Sequence, residues 1–468
     1  MEDPIEIGIN ENVPIFTEYF HALTLTEPTD IFDTGTSDFS LEPRTDYDSY
    51  DVIDKLIKPL TTETKPVLRA DGTKLLIPVE GALVLPHPTD FPGPYPLLII
   101  LHGNHTGYAS IDDQTHKPDG GNKGRYEITV LDGKQVLSYT GYLELQKTLA
   151  LSGIASYSIN LNIVKTLENN EHTRFPKSAL DFNQRILLFF HHLKLLKILS
   201  GVTVTEPTGP TALPLKFRKG SAFVNLRDEL TSSSPDPTLD AIRSLVTGKI
   251  NFERLGLMGH SRGADAVARI PAYFHKSTPF TDPAFPKHEK VNDRIKNLSV
   301  QTGSPKQEHI KCILSLEPTA TKNDDSPGDH GYFIDDPQTM FFFFFCTHDE
   351  DVSLDPVRIY EFPTCPKAMI AINGATHKRF NSEWATSKDP KQFSEPPVSI
   401  HILDIPDHLE ILKVVYGSCF TATLGNKASD FLFFTKVRTW PVKLSKSIFV
   451  QTAWEFGFPF TTAGNMND

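Results

Sequence analysis

Polar and apolar positions change rhythm several times along this chain. Leu97-Leu98-Ile99-Ile100-Leu101 is a continuous apolar run that follows the proline-rich stretch Pro86–Pro96. Such a run predicts a strand covered on both faces. Upstream, Asp71-Gly72 is a hairpin-type turn, and Thr73–Glu80 and Ala82–Leu85 alternate as half-buried strands do. Further strands are expected at Ile154–Asn160, Ile310–Leu316, Met340–Cys346 and Lys367–Ile372. The third of these contains five consecutive phenylalanines and would be an aggregation hazard if exposed. Helical spacing covers Gly141–Leu151, Ala179–Leu199, Pro237–Thr247 and Asp404–Cys419. The alternation of strands and helices predicts an α/β fold, with a mostly parallel central sheet and helices on both faces.

Residues 1–65 are acidic, weakly periodic and rich in Thr, Asp and Pro, and read as an N-terminal arm. Residues 66–425 carry the strand–helix alternation and form the main domain. Within it, 202–250 is an insertion with Pro, Ser and Thr clusters, set where a cap or lid would be. Residues 426–468 alternate again at Phe431–Phe434, Val442–Leu444 and Ile448–Thr452, and are expected to be a small β-rich C-terminal extension.

Composition narrows the classes. The net charge of −12 argues against nucleic acid or an anionic membrane surface as the main partner. No apolar run reaches membrane-spanning length. The first residues lack a basic segment followed by an apolar one, so the expected location is cytoplasmic, an exported processed form remaining compatible. Cys312 and Cys346 read as buried thiols, with a Cys346–Cys365 bridge open in an oxidising compartment. His191 and His192, on a helix, read as packed or surface residues rather than metal ligands. The acidic stretch 319–339 reads as a solvated loop, since its spacing is not that of an EF-hand. Neither metal nor cofactor is called for, and the oligomeric state is left open.

One stretch carries chemistry. Leu255–Gly259 is an apolar strand signal, and Gly259-His260-Ser261-Arg262-Gly263 then opens a helix. Gly-x-Ser-x-Gly at a strand-to-helix turn is the nucleophile-elbow pattern. The serine sits at the apex, and side chains two positions away would collide with the crowded turn. The helix directs its first N–H groups and its dipole to the same point.

A serine hydroxyl is a weak nucleophile without a base, and the base needs an orienting acid. Downstream of Ser261 the order acid-then-base is available. Met340–Cys346 runs into Thr347-His348-Asp349-Glu350-Asp351-Val352, and Lys367–Ile372 into Asn373-Gly374-Ala375-Thr376-His377. His377 is the expected base and His348 the poorer candidate. Asp351 is the expected acid. Asp349 is the alternative, otherwise bracing the loop, and Glu317 ends the preceding strand.

Leu97–Gly103, Gly141 to Asn160, Gly256–Gly263 and Gly374–Trp384 together resemble the α/β-hydrolases. The chain is similar to bacterial serine esterases of the dienelactone-hydrolase and platelet-activating-factor-acetylhydrolase type. The resemblance covers about residues 65–420. It departs at Ala264, where a second glycine is frequent, and in the unusual charge of the acid loop, with His348 and Glu350. It implies an α/β-hydrolase fold and a serine hydrolase acting on carboxylic esters, with a small-molecule or lipid-like ester as substrate. It also implies an oxyanion hole built from the backbone N–H groups of Asn104, after the Leu97–Leu101 strand, and Arg262, after the nucleophile. A peptidase or acyltransferase on the same triad, and a non-catalytic binding protein on the same fold, are the rival readings.

Overall fold

The apolar run at Leu97–Leu101 lies at the heart of the molecule and is sealed on both faces. In a computed structural model it is strand β3 (Tyr95–Leu101), with all five residues at 0% exposure. Leu97, Ile99 and Leu101 enter one hydrophobic core, and Leu98 and Ile100 enter a second on the other side of the sheet. The phenylalanine run behaves in the same way, with Phe341 and Phe343 in the first core and Phe342 and Phe344 in the second. An uninterrupted apolar sequence is what a strand needs when neither face meets water.

The structure describes residues 16–18, 81–88, 90–104, 137–161, 177–204, 216–219, 222–235, 237–273, 309–319, 339–349, 352, 355–360, 363, 365–386, 402–425, 427 and 452–457. Its main sheet has nine strands. Besides β3 they are β1 (Phe16–Glu18), β2 (Gly81–Leu85), β4 (Ala155–Ile159), β7 (Ile250–His260), β8 (Ile310–Leu316), β9 (Met340–Cys346), β10 (Lys367–Ile372) and β11 (Thr452–Gly457). A separate hairpin is formed by β5 (Lys216–Lys219) and β6 (Ala222–Asn225). The sheet order is β1-β2-β4-β3-β7-β8-β9-β10-β11. The block from β4 to β10 is parallel, β2 and β11 add antiparallel to its two edges, and β1 pairs antiparallel on β2. The fold is therefore α/β with a mostly parallel sheet, as the alternation predicts. The strand order reverses beside β3 and β7, where open sheets of this kind have their crevice at the carboxyl ends of the strands.

Helices Leu143–Ala150, Lys177–Leu199, Arg262–Arg269 and Ile405–Ile411 are among those that cover the sheet. The last continues through a π-turn at Leu412–Tyr416 into Gly417–Thr423, so the predicted helix ends a little later than expected. In the 202–250 insertion, helix Pro237–Val246 packs Leu239, Ile242 and Val246 into the first core with the Lys177–Leu199 helix. Of the predicted N-terminal arm, only Phe16–Glu18 is described, paired on β2. In the predicted extension, Thr452–Gly457 pairs on β10 at the edge of the main sheet. The expected strands at Thr73–Glu80, Phe431–Phe434 and Val442–Leu444, and the acidic stretch 320–338, lie outside the described residues. All four cysteines are buried thiols, and the Cys346–Cys365 bridge is not formed. No helix among the described residues is long and apolar enough to cross a membrane.

Candidate active site

Five neighbouring parallel strands deliver polar groups to one edge of the sheet. His102–Asn104 follow β3, Ser261 follows β7, Glu317 follows β8, Asp349 follows β9, and His377 follows β10.

Ser261 has φ 56° and ψ −127°, a left-handed backbone that a residue with a side chain rarely adopts. The turn is held by Ser261 N–H donating to Leu316 O at 2.8 Å and by Ala264 N–H donating to Ser261 O at 2.8 Å. Both flanking glycines are there for space. A Cβ on Gly259 would stand 2.2 Å from Gly263 O, and one on Gly263 would stand 2.1 Å from Leu101 O. The pattern read from the sequence is thus matched by the contacts it was expected to relieve. Ser261 is also the residue that caps the Arg262–Arg269 helix, so that helix begins at the serine.

The loop after β3 reaches the same point. A Cβ on Gly103 would lie 2.5 Å from Ser261 Cβ and 3.1 Å from its Oγ, which fixes the loop against the serine. The loop is braced from behind. Arg185, fully buried in the Lys177–Leu199 helix, donates to His102 O at 2.9 Å and to Asn104 Oδ1. His102 Nε2 accepts the Leu161 N–H at 2.8 Å, which puts the ring proton on Nδ1, 2.7 Å from Gly103 O. Of the two expected oxyanion donors, Asn104 follows Gly103, whose backbone is packed on Ser261, and Arg262 is the next residue after the serine.

His377 Nδ1 lies 2.6 Å from Asp349 Oδ2, and both side chains are almost fully buried. With Nδ1 committed to a carboxylate, Nε2 is the ring atom that can exchange a proton with a hydroxyl. The carboxylate on His377 is thus Asp349, where the sequence favoured Asp351, which lies outside the described residues. The bracing role expected of Asp349 is present as well, since its Oδ1 accepts the Val352 N–H at 3.2 Å. Asp349 N–H bonds back to Cys346 O at 3.3 Å and His348 N–H to Ala375 O at 3.1 Å, which holds the first residues after β9 against the loop after β10. Burial works to raise the Asp349 carboxyl, but the His377 ring and the hydrogen bonds it receives outweigh this and hold it below its ordinary range. His348, the poorer base, instead has Nδ1 2.9 Å from Thr347 Oγ1.

The His260 ring, one residue before the serine, lies 4.9 Å from the His377 ring and 4.8 Å from Trp384. Its Nδ1 is 2.9 Å from the Tyr142 hydroxyl. Burial, and next the nearby His377, lower its pKa well below the usual value, so it is neutral. Sequence reasoning passed over this layer. Within the Gly374–Trp384 segment, Asn381 Nδ2 donates to Ser138 O at 2.8 Å and its Oδ1 caps the Ser382–Thr386 helix. A Cβ on Gly141 would stand 1.8 Å from that Oδ1. The Gly141-Tyr142 and Gly374–Trp384 segments singled out in the sequence are therefore two halves of one contact.

No protein-family model and no curated protein sequence matches the chain. Solved structures similar to it include a dienelactone hydrolase from Anabaena variabilis, at 11% identity and TM-score 0.32, covering 74% of this chain and 93% of that one. Est1E from Butyrivibrio proteoclasticus with ferulic acid bound gives 11% identity and TM-score 0.27, covering 64% and 87%. A second structure of Est1E gives 13% and 0.25, covering 64% and 86%. At these values none of the three says what this chain acts on.

Proposed function

We propose that the chain is a serine hydrolase that cleaves carboxylic esters, with Ser261 as nucleophile, His377 as general base and Asp349 as the orienting acid. The observation that carries this is the 2.6 Å bond between His377 Nδ1 and Asp349 Oδ2, beside an elbow whose serine has a positive φ. Ser261 Oγ attacks the ester carbonyl carbon and its proton passes to His377 Nε2. The carbonyl oxygen becomes an oxyanion and is met by the N–H groups of Asn104 and Arg262, aided by the dipole of the helix that starts at Arg262. As the carbon–oxygen bond to the alcohol breaks, His377 returns the proton to the leaving oxygen. Water then repeats the sequence on the acyl-serine and releases the acid. Asp349 holds the ring so that Nε2 faces the reaction, and it stabilises the imidazolium formed in each half.

The test is covalent labelling by a fluorophosphonate together with turnover of a panel of p-nitrophenyl esters and the matching anilides. Wild type is expected to label and to prefer the esters, and Ser261→Ala to do neither while keeping its thermal midpoint. Labelling that persists in the alanine variant would remove Ser261 from this role.

A further inference from the structure

Glu317, among the described residues, is a buried carboxyl at this edge of the sheet that the reading above leaves without a task. It ends β8, is fully buried, and has φ 49°. Among the described residues, only it and Ser261 combine a side chain with a positive φ. That conformation costs on the order of 1–3 kcal/mol and persists only where the surroundings impose it. Here they do. Glu317 N–H donates to Phe344 O at 3.1 Å, and its Oε1 accepts the N–H of Cys346. These two bonds turn the carboxyl toward the loop after β9.

The carboxyl therefore lies in the same cluster as the candidate dyad. One oxygen or nitrogen from each of Glu317, Asp349 and His377 falls within 4.8 Å of the others. Two buried carboxylates at that distance cannot both be ionised, because neither has water to screen the repulsion. The donors decide which one keeps the proton. Asp349 receives the His377 N–H and the Val352 N–H, and Glu317 receives Cys346 N–H alone. Glu317 Oε2 is buried without a hydrogen-bond partner, and a proton shared with the neighbouring Asp349 carboxylate would supply one.

We propose that Glu317 stands protonated and donates that proton to the Asp349 carboxylate, a positioning residue that keeps Asp349 ionised and turned to His377 Nδ1; the inference rests on the triad reading above. The titratable groups around Glu317 agree with it. Burial, followed by the Asp349 charge, raises its carboxyl well above the ordinary range. The Cys346 thiol on β9 and the Tyr416 phenol from the π-turn are both pushed up, by burial first, and stay neutral. His260 on β7, neutral as well, faces the Asp349–His377 side of the cluster. Among the described residues Asp349 is then the ionised acid beside Glu317, and sharing a neutral donor spares it a second negative neighbour.

Glu317→Gln and Glu317→Leu separate this from a structural role. Glutamine carries an N–H donor and a carbonyl acceptor where the protonated acid has both, and leucine has neither. Glutamine is expected to keep kcat/KM on a p-nitrophenyl ester within about threefold, with the acid limb of the pH profile in place. Leucine is expected to lose about tenfold or more, the usual scale for removing a hydrogen bond to a charged group. Its acid limb should also move to higher pH, because the Asp349 charge then falls wholly on His377 and favours the imidazolium. A glutamine variant that loses as much as leucine, with the limb moved to lower pH, would mean that Glu317 is ionised. A leucine variant equal to wild type would leave Glu317 no role. A readout independent of turnover is the infrared difference between wild type and Glu317→Gln at neutral pH. The carbonyl stretch of a buried carboxylic acid is expected in wild type, and its absence overturns the proposal even if the leucine variant fails to fold. Ser261→Ala in the same series tells the two readings apart: full activity there defeats the triad, whereas the infrared band reports on Glu317 alone.

Discussion

His408 Nε2 accepts the N–H of Thr376 at 2.9 Å, one residue before the candidate base. The other ring nitrogen is 2.8 Å from Asp404 O, so the tautomer is set, with the proton on Nδ1. A histidine on the Ile405–Ile411 helix thereby pins the loop that carries His377. The bond needs the neutral ring. Burial is the main cause that lowers the His408 pKa, to about 4, so it holds through the neutral and mildly acid range.

His408→Ala is expected to lower kcat by about tenfold while KM changes little. The substitution leaves the Thr376 N–H buried without its acceptor, at a cost of roughly 1–3 kcal/mol, and loosens the base rather than the substrate site. Steady-state kinetics on a soluble ester give the split. A rise in KM alone would mean that the helix shapes the binding site instead.

Asp349→Asn is expected to lower kcat by about 10⁴, the scale on which loss of the orienting carboxylate leaves the wrong imidazole tautomer. Asp351→Asn is expected to cost much less, because the 2.6 Å partner of His377 is already present without it. The two variants should be compared at saturating ester with their thermal midpoints. An inverted ranking would return the acid to Asp351.

The elbow was legible because its constraint is local. Gly259, Ser261 and Gly263 are two apart, and the steric demand acts between those same positions. The strands were legible for a similar reason, since burial on both faces writes an uninterrupted apolar run, as in Leu97–Leu101 and Phe341–Phe344. The acid was harder. Asp349 and Asp351 are two apart in one stretch, and nothing in that spacing says which carboxyl reaches His377; Asp349 does so at 2.6 Å. His408 and Arg185 were not legible at all. Each acts on a residue far away in the chain, and a lone His or Arg in a helix-compatible run carries no spacing signal. The π-turn at Leu412–Tyr416 left no trace either, because its composition is that of an ordinary helix.

Stability is expected to fall as the pH drops below about 6.5, the ordinary histidine value. Burial is the leading cause that lowers His192 to about 3 and His408 to about 4, and His191 and His260 also go well below the usual value. The fold keeps these rings neutral while the unfolded chain protonates them, so the unfolded state binds more protons in this window and stability rises with pH. Glu317 works the other way. Its proton is kept in the fold and shed by the unfolded chain above about pH 4.3, so its contribution weakens as pH rises. Four histidines against one glutamate leave the histidine sign in control. The thermal midpoint should decline from neutral pH toward about pH 5. A flat or rising midpoint over that interval would contradict the neutral state of these rings.

The last prediction concerns the C-terminal strand. From the sequence, a boundary near residue 425 suggests that the chain beyond it is dispensable for the chemistry. Yet β11 pairs along the whole of β10, from Lys367↔Gly457 to Ile372↔Thr452, and β10 leads directly to His377. Truncation after Lys427 would leave β10 as an open edge, with its N–H and C=O groups offered to any other strand. The His377 loop does not hang on that edge alone. Leu403 N–H donates to Gly374 O at 2.8 Å, His348 N–H to Ala375 O at 3.1 Å, and Thr376 N–H to His408. The β9 strand also holds the inner edge of β10. The truncated chain is therefore expected to melt several degrees lower and to aggregate on concentration, while its monomeric fraction keeps kcat/KM on a short soluble ester within several-fold. Size-exclusion chromatography followed by kinetics on the monomer peak makes the comparison, with an emulsified ester run alongside. Loss confined to the emulsion would make the extension an accessory for insoluble substrate. Loss of more than a hundredfold on the soluble ester, in a monomer that melts cooperatively, would make β11 part of the catalytic fold.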